Sequence, residues 1–310
     1  MKKVVVFGGG TGLSCLLSGL KLFPLEVTTV ITVSDNGSST GVLKEELDIP
    51  AVGDIGKVLL SMSNADSDMI ELLGYRFQKE GSLHNHPIRN ILLAALIDLK
   101  GSLTEATRYM CRLLQVKGTV LPLTEEKVEL VGESEHGEYY GQVSVSSNIR
   151  HIRRLAYDHN IRIVGEIREK ILDADLIIFS PGSLYTSIIP HLITEEILQI
   201  LEETKAPLMY ICNLVTQPGE TDGYSVNDHV RVLNQYLRRR KIDVVIANTA
   251  PIDEAIKQKY LDLEGKEVVM PDGREDVRVI CGDVFSIEDD KIRHDALKTA
   301  FLVFSYLMER

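Results

Sequence analysis

Two aspartates sit where a charged ligand would meet the chain. Asp35 ends an apolar run and opens into Asn36-Gly37-Ser38-Ser39-Thr40-Gly41, and Asp54 stands between Gly53 and Gly56 before a helical run. Paired carboxylates in such places can hold Mg²⁺ against a diphosphate, because that ion takes one or two carboxylates and completes its shell with phosphate oxygens. The same residues serve equally as a turn aspartate and a helix cap, so both readings stand. A second pattern is the stretch FSPGSLYTS at 179–187, which places Gly182, Ser183, Tyr185 and Thr186 directly after an apolar strand. Hydroxyls beside free backbone N–H groups are what an anion needs. A third is Gly8-Gly9-Gly10-Thr11-Gly12, where glycines let the backbone come close to a phosphate.

These loops need a frame that brings them together. Val4–Phe7 is a short β-branched run, helical spacing follows at Leu13, Leu16, Leu17 and Leu20, and Val27–Val33 is a second strand, the opening of a βαβ unit. Further strands are expected at 176–179, 208–212 and 243–247, with helices at about 193–204 and 226–240. The expected fold class is α/β: a Rossmann-like, doubly wound, mainly parallel sheet with β insertions. Residues 1–310 read as one domain. Within it, 119–150 is expected as a small antiparallel insertion with Gly132, Gly137 and Gly141 as turns, and 264–287 as a β-hairpin region turning at Asp272-Gly273. In an open parallel sheet, ligands bind beyond the carboxyl ends of the strands. That rim carries the three loops above, then Asn213 with Thr216-Gln217-Pro218-Gly219-Glu220-Thr221-Asp222, then Asn248-Thr249. The opposite ends start with Lys2, Leu25, Asp173, Lys205 and Lys241, which are ordinary solvated turns.

Bulk properties narrow the ligand. A net charge of −11 over 310 residues argues against nucleic acid, whose phosphates need a basic face. The run Arg238-Arg239-Arg240-Lys241 reads as a solvated helix end. The four cysteines, Cys15, Cys111, Cys212 and Cys281, form no CxxC pair, and three of them read as buried thiols in apolar runs. The apolar stretches are too short for a membrane span, and the start of the chain lacks an export signal, so a cytoplasmic protein is expected. The glycine loop fits the dinucleotide fingerprint at Gly8 and Gly10 but has Leu13 at the third position, leaving a cofactor-free turn, NAD, or another phosphate-bearing ligand. Gly53–Lys57 is no Walker A loop, since Ala51 and Val58 replace its Gly and Ser/Thr. His84-Asn85-His86-Pro87 reads as a turn, a substrate contact or a metal pair, and Arg293 as a surface charge or a phosphate ligand.

With GGGTGLS at 8–14, SDNGSSTGVL at 34–43, GDI at 53–55, PGSLYTSIIP at 181–190, CN at 212–213, TQPGETDGY at 216–224 and the late Arg293-His294-Asp295, the chain resembles the CofD-like family over nearly its whole length. Within that family it is most similar to gluconeogenesis factors of the YvcK type. The resemblance implies a cytosolic protein with a nucleotide-sugar ligand, such as a UDP-sugar or other nucleotide diphosphate, and a role in carbon-source use, cell-wall integrity and cell shape. It allows a homo-oligomer and adds Asn90 to the expected ligand contacts. The CofD branch proper implies an alternative, a Mg²⁺-dependent 2-phospho-L-lactate transferase working on a guanosine-linked diphosphate and the deazaflavin Fo. No cofactor is required unless the chain is catalytic, in which case Mg²⁺ is expected. Two positions depart from the family pattern: Gly56-Lys57 stands where the family usually has Arg-Asn after GDI, and Arg89 where it has Gly. The expected activity is ligand binding by a regulator rather than catalysis.

Overall fold

The computed structural model describes residues 1–273, 275–288 and 291–310. Its centre is a seven-stranded sheet built from β1 (Lys2–Gly8), β2 (Leu25–Ile31), β3 (Thr119–Pro122), β7 (Leu176–Phe179), β8 (Leu208–Ile211), β9 (Val244–Asn248) and β10 (Arg278–Gly282), in the order β10-β9-β8-β7-β1-β2-β3. Every neighbouring pair in it is parallel. The chain winds outward from β1 to β3, returns to the middle at β7, and winds the other way. The strand order therefore reverses between β1 and β7, the topological switch point at which ligands bind in doubly wound folds.

The apolar runs explain the two layers. Along β1, Val4 and Val6 belong to one core and Val5 and Phe7 to the other. Ile178 and Ile177 of β7 divide in the same way, as do Met209 and Tyr210 of β8. A strand covered on both faces reads as continuous hydrophobicity rather than alternation, and all four residues of β7 are fully buried. Six helices precede β3: α1 (Gly10–Leu20), α2 (Ser38–Leu47), α3 (Gly53–Met62), α4 (Ser67–Gly74), α5 (Ile88–Lys100) and α6 (Leu103–Leu113). Helices Glu195–Glu203 and Val226–Tyr236 fall within the expected spans, and the C-terminal helix Ala296–Met308 packs along α1.

The β embellishments differ from expectation in their bounds. The segment 119–150 is divided: β3 joins the main sheet, and the antiparallel unit consists of β4 (Leu130–Ser134), β5 (Gly137–Tyr140) and β6 (Ile152–Tyr157), in the order β5-β4-β6. The short run Thr119–Pro122 pairs with β2 because Val120 and Leu121 bury opposite faces, which periodicity over four residues does not reveal. In 264–287, which contains residue 274 outside the described residues, Arg278–Gly282 is likewise a main-sheet strand. The hairpin lies further on, between β11 (Phe285–Glu288) and β12 (Lys291–His294). Gly273 does adopt a left-handed φ of 79°, but no strand pair among the described residues flanks Asp272-Gly273.

Of the thiols, Cys212 is buried, Cys15 and Cys111 are half-buried, and Cys281 is exposed on the edge strand β10. Arg238 and Arg239 pair with Glu195 and Glu202 at 2.8 and 3.4 Å, while Arg240 donates to the Thr204 carbonyl at 2.7 Å. No helix among the described residues is long and apolar enough to cross a membrane.

Candidate functional site

A cavity of about 1000 Å³ opens at the switch point. Its floor is the turn from β1 into α1, with Gly9, Gly10, Thr11 and Gly12, and one wall is Pro181, Gly182, Ser183 and Ser187 after β7. The loop after β8 supplies Asn213, Thr216 and Gln217, and the far wall carries Lys266, Glu288, Arg293 and His294. Backbone proximity dictates the glycines here. A Cβ on Gly12 would lie 2.2 Å from the Pro181 carbonyl oxygen, and Gly10 holds a φ of 67°. The glycine loop thus meets the loop after β7 at backbone distance at Gly12, with Ser180 and Ser187 lying over Gly8 and Gly9, and the start of α1 faces the opening. Gly9 caps that helix without a side-chain bond, so the amides of Thr11 and Gly12 are left for an anion, with the helix dipole favouring negative charge.

The wall loop is held by its neighbours. Gly182 N–H donates to Asn213 Oδ1 at 2.9 Å, and Asn213 Nδ2 donates back to the Gly182 carbonyl at 2.8 Å. Beyond it, residues Leu184–Ile188 form a π-helical turn, a form that recurs at functional sites. The amides of that turn face a carboxylate of the protein itself. Glu220 accepts from the Ser183 hydroxyl at 2.9 Å and from Tyr185 N–H at 3.0 Å. Burial pushes the Glu220 carboxyl above its usual range, and the bonds from Tyr185, Ser183 and Leu184 only partly offset this. Glu220 thus ties the loop 216–224 to the loop 181–187. Its signal in the sequence was an acidic residue, followed two positions later by Asp222, inside a loop otherwise rich in donors.

The expected site residues divide accordingly. Gly9, Gly10, Thr11, Gly12, Gly182, Ser183, Asn213, Gln217 and Arg293 line the cavity. The other seven do not, and each has a reason. Thr186 is buried, with its hydroxyl bonded to Ser183 Oγ at 2.6 Å, and the Tyr185 phenol sits 3.3 Å from that of Tyr224. Asn36 accepts from Val143 N–H at 3.1 Å and so supports the antiparallel insertion. Ser38, with φ 46°, lies with Asn36 in a second opening that also contains Glu45, Glu46 and Glu129. Asn90 is buried and donates to Ser39 Oγ at 3.3 Å. Asp54 stands just behind the cavity floor, accepting from Gly10 N–H at 3.0 Å and pairing with Lys57 at 2.8 Å. Asp35 is further in. Its carboxyl accepts from Gly37 N–H at 2.9 Å and is raised by burial, with the Asp54 charge adding to the shift.

Of the two histidines in the 84–87 turn, His84 is exposed and His86 has a structural contact. His86 is buried with Nδ1 2.8 Å from Ser39 Oγ, and among the described residues no group of three His, Cys, Asp or Glu side chains could hold a metal ion. Asp35 and Asp54 therefore fit Mg²⁺ only if a ligand's phosphate oxygens complete the shell. His294, which sequence reasoning passed over in favour of Arg293, lines the cavity with no bonded partner for either ring nitrogen. Burial lowers its pKa to about 4, with the Cys212 backbone acting in the other direction. Arg293 is exposed at the rim and makes no ion pair among the described residues, so its guanidinium is available to a phosphate.

A doubly wound parallel sheet with a donor-lined crevice at its switch point defines a Rossmann-like α/β fold of the kind whose ligands bind at that point. The chain belongs to the CofD family: the family described as 2-phospho-L-lactate transferase CofD matches residues 4–285. It is 39% identical to the gluconeogenesis factor of Bacillus subtilis strain 168, over 99% of this chain and 98% of that protein. It is 36% identical to the gluconeogenesis factor of Listeria monocytogenes, over 98% and 95%. A crystal structure of a UPF0052 family member from Bacillus halodurans superposes with a TM-score of 0.92 at 36% identity, covering 97% of this chain and 99% of that one.

Proposed function

We propose that the chain is a regulatory protein that binds a UDP-sugar or another nucleotide diphosphate in the switch-point cavity, and that it serves carbon-source use and cell-wall integrity as a gluconeogenesis factor. The observation that carries this reading is the convergence, at one opening, of the amides of Thr11 and Gly12 at the start of α1, the Gly182–Asn213 clamp and Arg293, which has no ion pair among the described residues. Together they offer backbone donors and one guanidinium to a diphosphate, while about 1000 Å³ leaves room for a sugar and a base. The names of the relatives agree with the carbon-metabolism part.

A second reading, a Mg²⁺-dependent transferase, is favoured by the closeness of Asp35 and Asp54 and by the family match. Against it, Asp54 is already engaged by Gly10 N–H and Lys57. Mg²⁺, when bound, would neutralise charge on a diphosphate, with these two carboxylates as its protein ligands.

One thermal-shift panel of nucleotides and nucleotide sugars, with and without Mg²⁺, separates the two. The regulator reading expects a UDP-sugar at 100 times its dissociation constant to stabilise by roughly 2.7 kcal/mol, largely without Mg²⁺. If instead stabilisation requires Mg²⁺, and incubation with a guanosine-linked lactyl diphosphate and Fo yields a phosphorylated deazaflavin that Asp54→Asn abolishes, the transferase reading replaces it.

A further inference from the structure

Outside the cavity, on a different face of α3, a buried cation has no counter-charge among the described residues. Arg89, the second residue of α5, is only 8% exposed, yet it makes no hydrogen bond or ion pair among the described residues, and its Nε is buried without a partner there. Its terminal nitrogens are not among the buried orphans, so they reach solvent through a narrow opening. The side chain lies across Gly56, where an added Cβ would meet Arg89 Cδ at 3.0 Å, so the missing side chain at 56 makes room for the arginine. The nearest charge is a second cation: Arg76, half-buried, with Nη1 bonded only to the Asn85 carbonyl at 2.7 Å and its Oδ1 at 3.5 Å.

The surrounding backbone also favours negative charge. Arg89 stands at the start of α5, where the dipole repels a cation and where no acidic side chain balances it. The start of α2 already holds the Asp35 carboxylate, which accepts from Gly37 N–H at 2.9 Å, and α2 is stitched to α5 through Ser39, which meets His86 Nδ1 at 2.8 Å and Asn90 Nδ2 at 3.3 Å. A buried guanidinium is normally paired, because removing it from water uncompensated costs several kcal/mol. Two arginines at the start of α5, neither with an ion pair among the described residues, form a site whose missing member is an anion.

We propose that Arg89, Arg76 and the first turn of α5 form a second binding site, for an oxyanion such as a phosphoryl or carboxylate group, separate from the switch-point cavity. The guanidinium fork suits either group, and two parallel N–H···O bonds would satisfy Arg89. This inference does not rest on the nucleotide-sugar reading.

The test uses the full chain with inorganic phosphate, and acetate in a parallel arm, each against chloride at equal ionic strength. Phosphate at about ten times its dissociation constant should raise the melting midpoint by roughly 2–5 °C, in the wild type and equally in Thr11→Asp, which disables the cavity alone. A rise with phosphate only assigns a phosphoryl group, and a rise with acetate only assigns a carboxylate. Arg89→Met should abolish the response and melt higher than wild type in chloride, because it deletes an unpaired buried charge; a purely structural arginine would leave the variant less stable. Crystals soaked in tungstate should show the heavy atom at the Arg89 guanidinium. Anion responses that are absent in the wild type, or unchanged in Arg89→Met, or crystals with no tungstate at Arg89, would overturn the proposal.

Discussion

At the scale of single residues, Glu220 changes the meaning of the PGSLYTS loop. Its donors look like a phosphate nest in the sequence, but the structure fills part of that nest with the protein's own carboxylate. The hydroxyl of Ser183 is therefore a structural donor. Ser183→Ala should leave a buried carboxylate short of one bond and destabilise the fold by about 1.5–3 kcal/mol, read from urea unfolding. Unchanged stability would show that the hydroxyl is free for a ligand instead. Arg89 and Gly56 form a comparable pair, two departures from the family pattern that the packing explains as one, since the arginine at 89 occupies the space over the glycine at 56.

At the scale of elements, the parallel strands and the rim were legible because both carry strong local signals: β-branched runs for the strands, and glycines with short polar residues for the loops. What was not legible was long-range. Nothing in Thr119–Pro122 says that it pairs with β2 rather than with the antiparallel unit, and Thr186 and Asn90 show their burial only in three dimensions. The glycine turn was readable as a phosphate loop, but the reason for Gly12 was not, since it lies in the backbone of a loop some 170 residues away. That contact makes a prediction. Gly12→Ala must push the start of α1 off Pro181, and overpacking of this kind costs about 1–3 kcal/mol. A calorimetric melting scan at or above the wild-type midpoint would show that the two loops do not touch as described.

At the scale of the whole molecule, the sheet centre holds a proton-linked weakness beside the site. His191 is fully buried against Phe7, with Nε2 donating to the Gly8 carbonyl at 3.3 Å, and burial lowers its pKa from 6.5 to about 3. The folded state therefore resists a proton that the unfolded chain accepts below pH 6.5, so stability falls as pH drops from 6.5 toward 3. One such group contributes a slope of about 1.4 kcal/mol per pH unit within that window. The raised carboxyls of Asp35 and Glu220 act in the opposite sense at the acid end, so the test is a difference: His191→Met should lose this slope relative to wild type in denaturant titrations at pH 4–7. Parallel curves would contradict it. The central claim, that the switch-point cavity binds a nucleotide sugar through the start of α1, is tested most directly by calorimetric titration of UDP-N-acetylglucosamine and UDP-glucose into wild type and Thr11→Asp without Mg²⁺. The account predicts one saturable site in the wild type for at least one of these ligands and no heat of binding in the folded variant, whose new carboxylate faces the phosphates. Binding of equal affinity in both proteins, or none in the wild type, would contradict it.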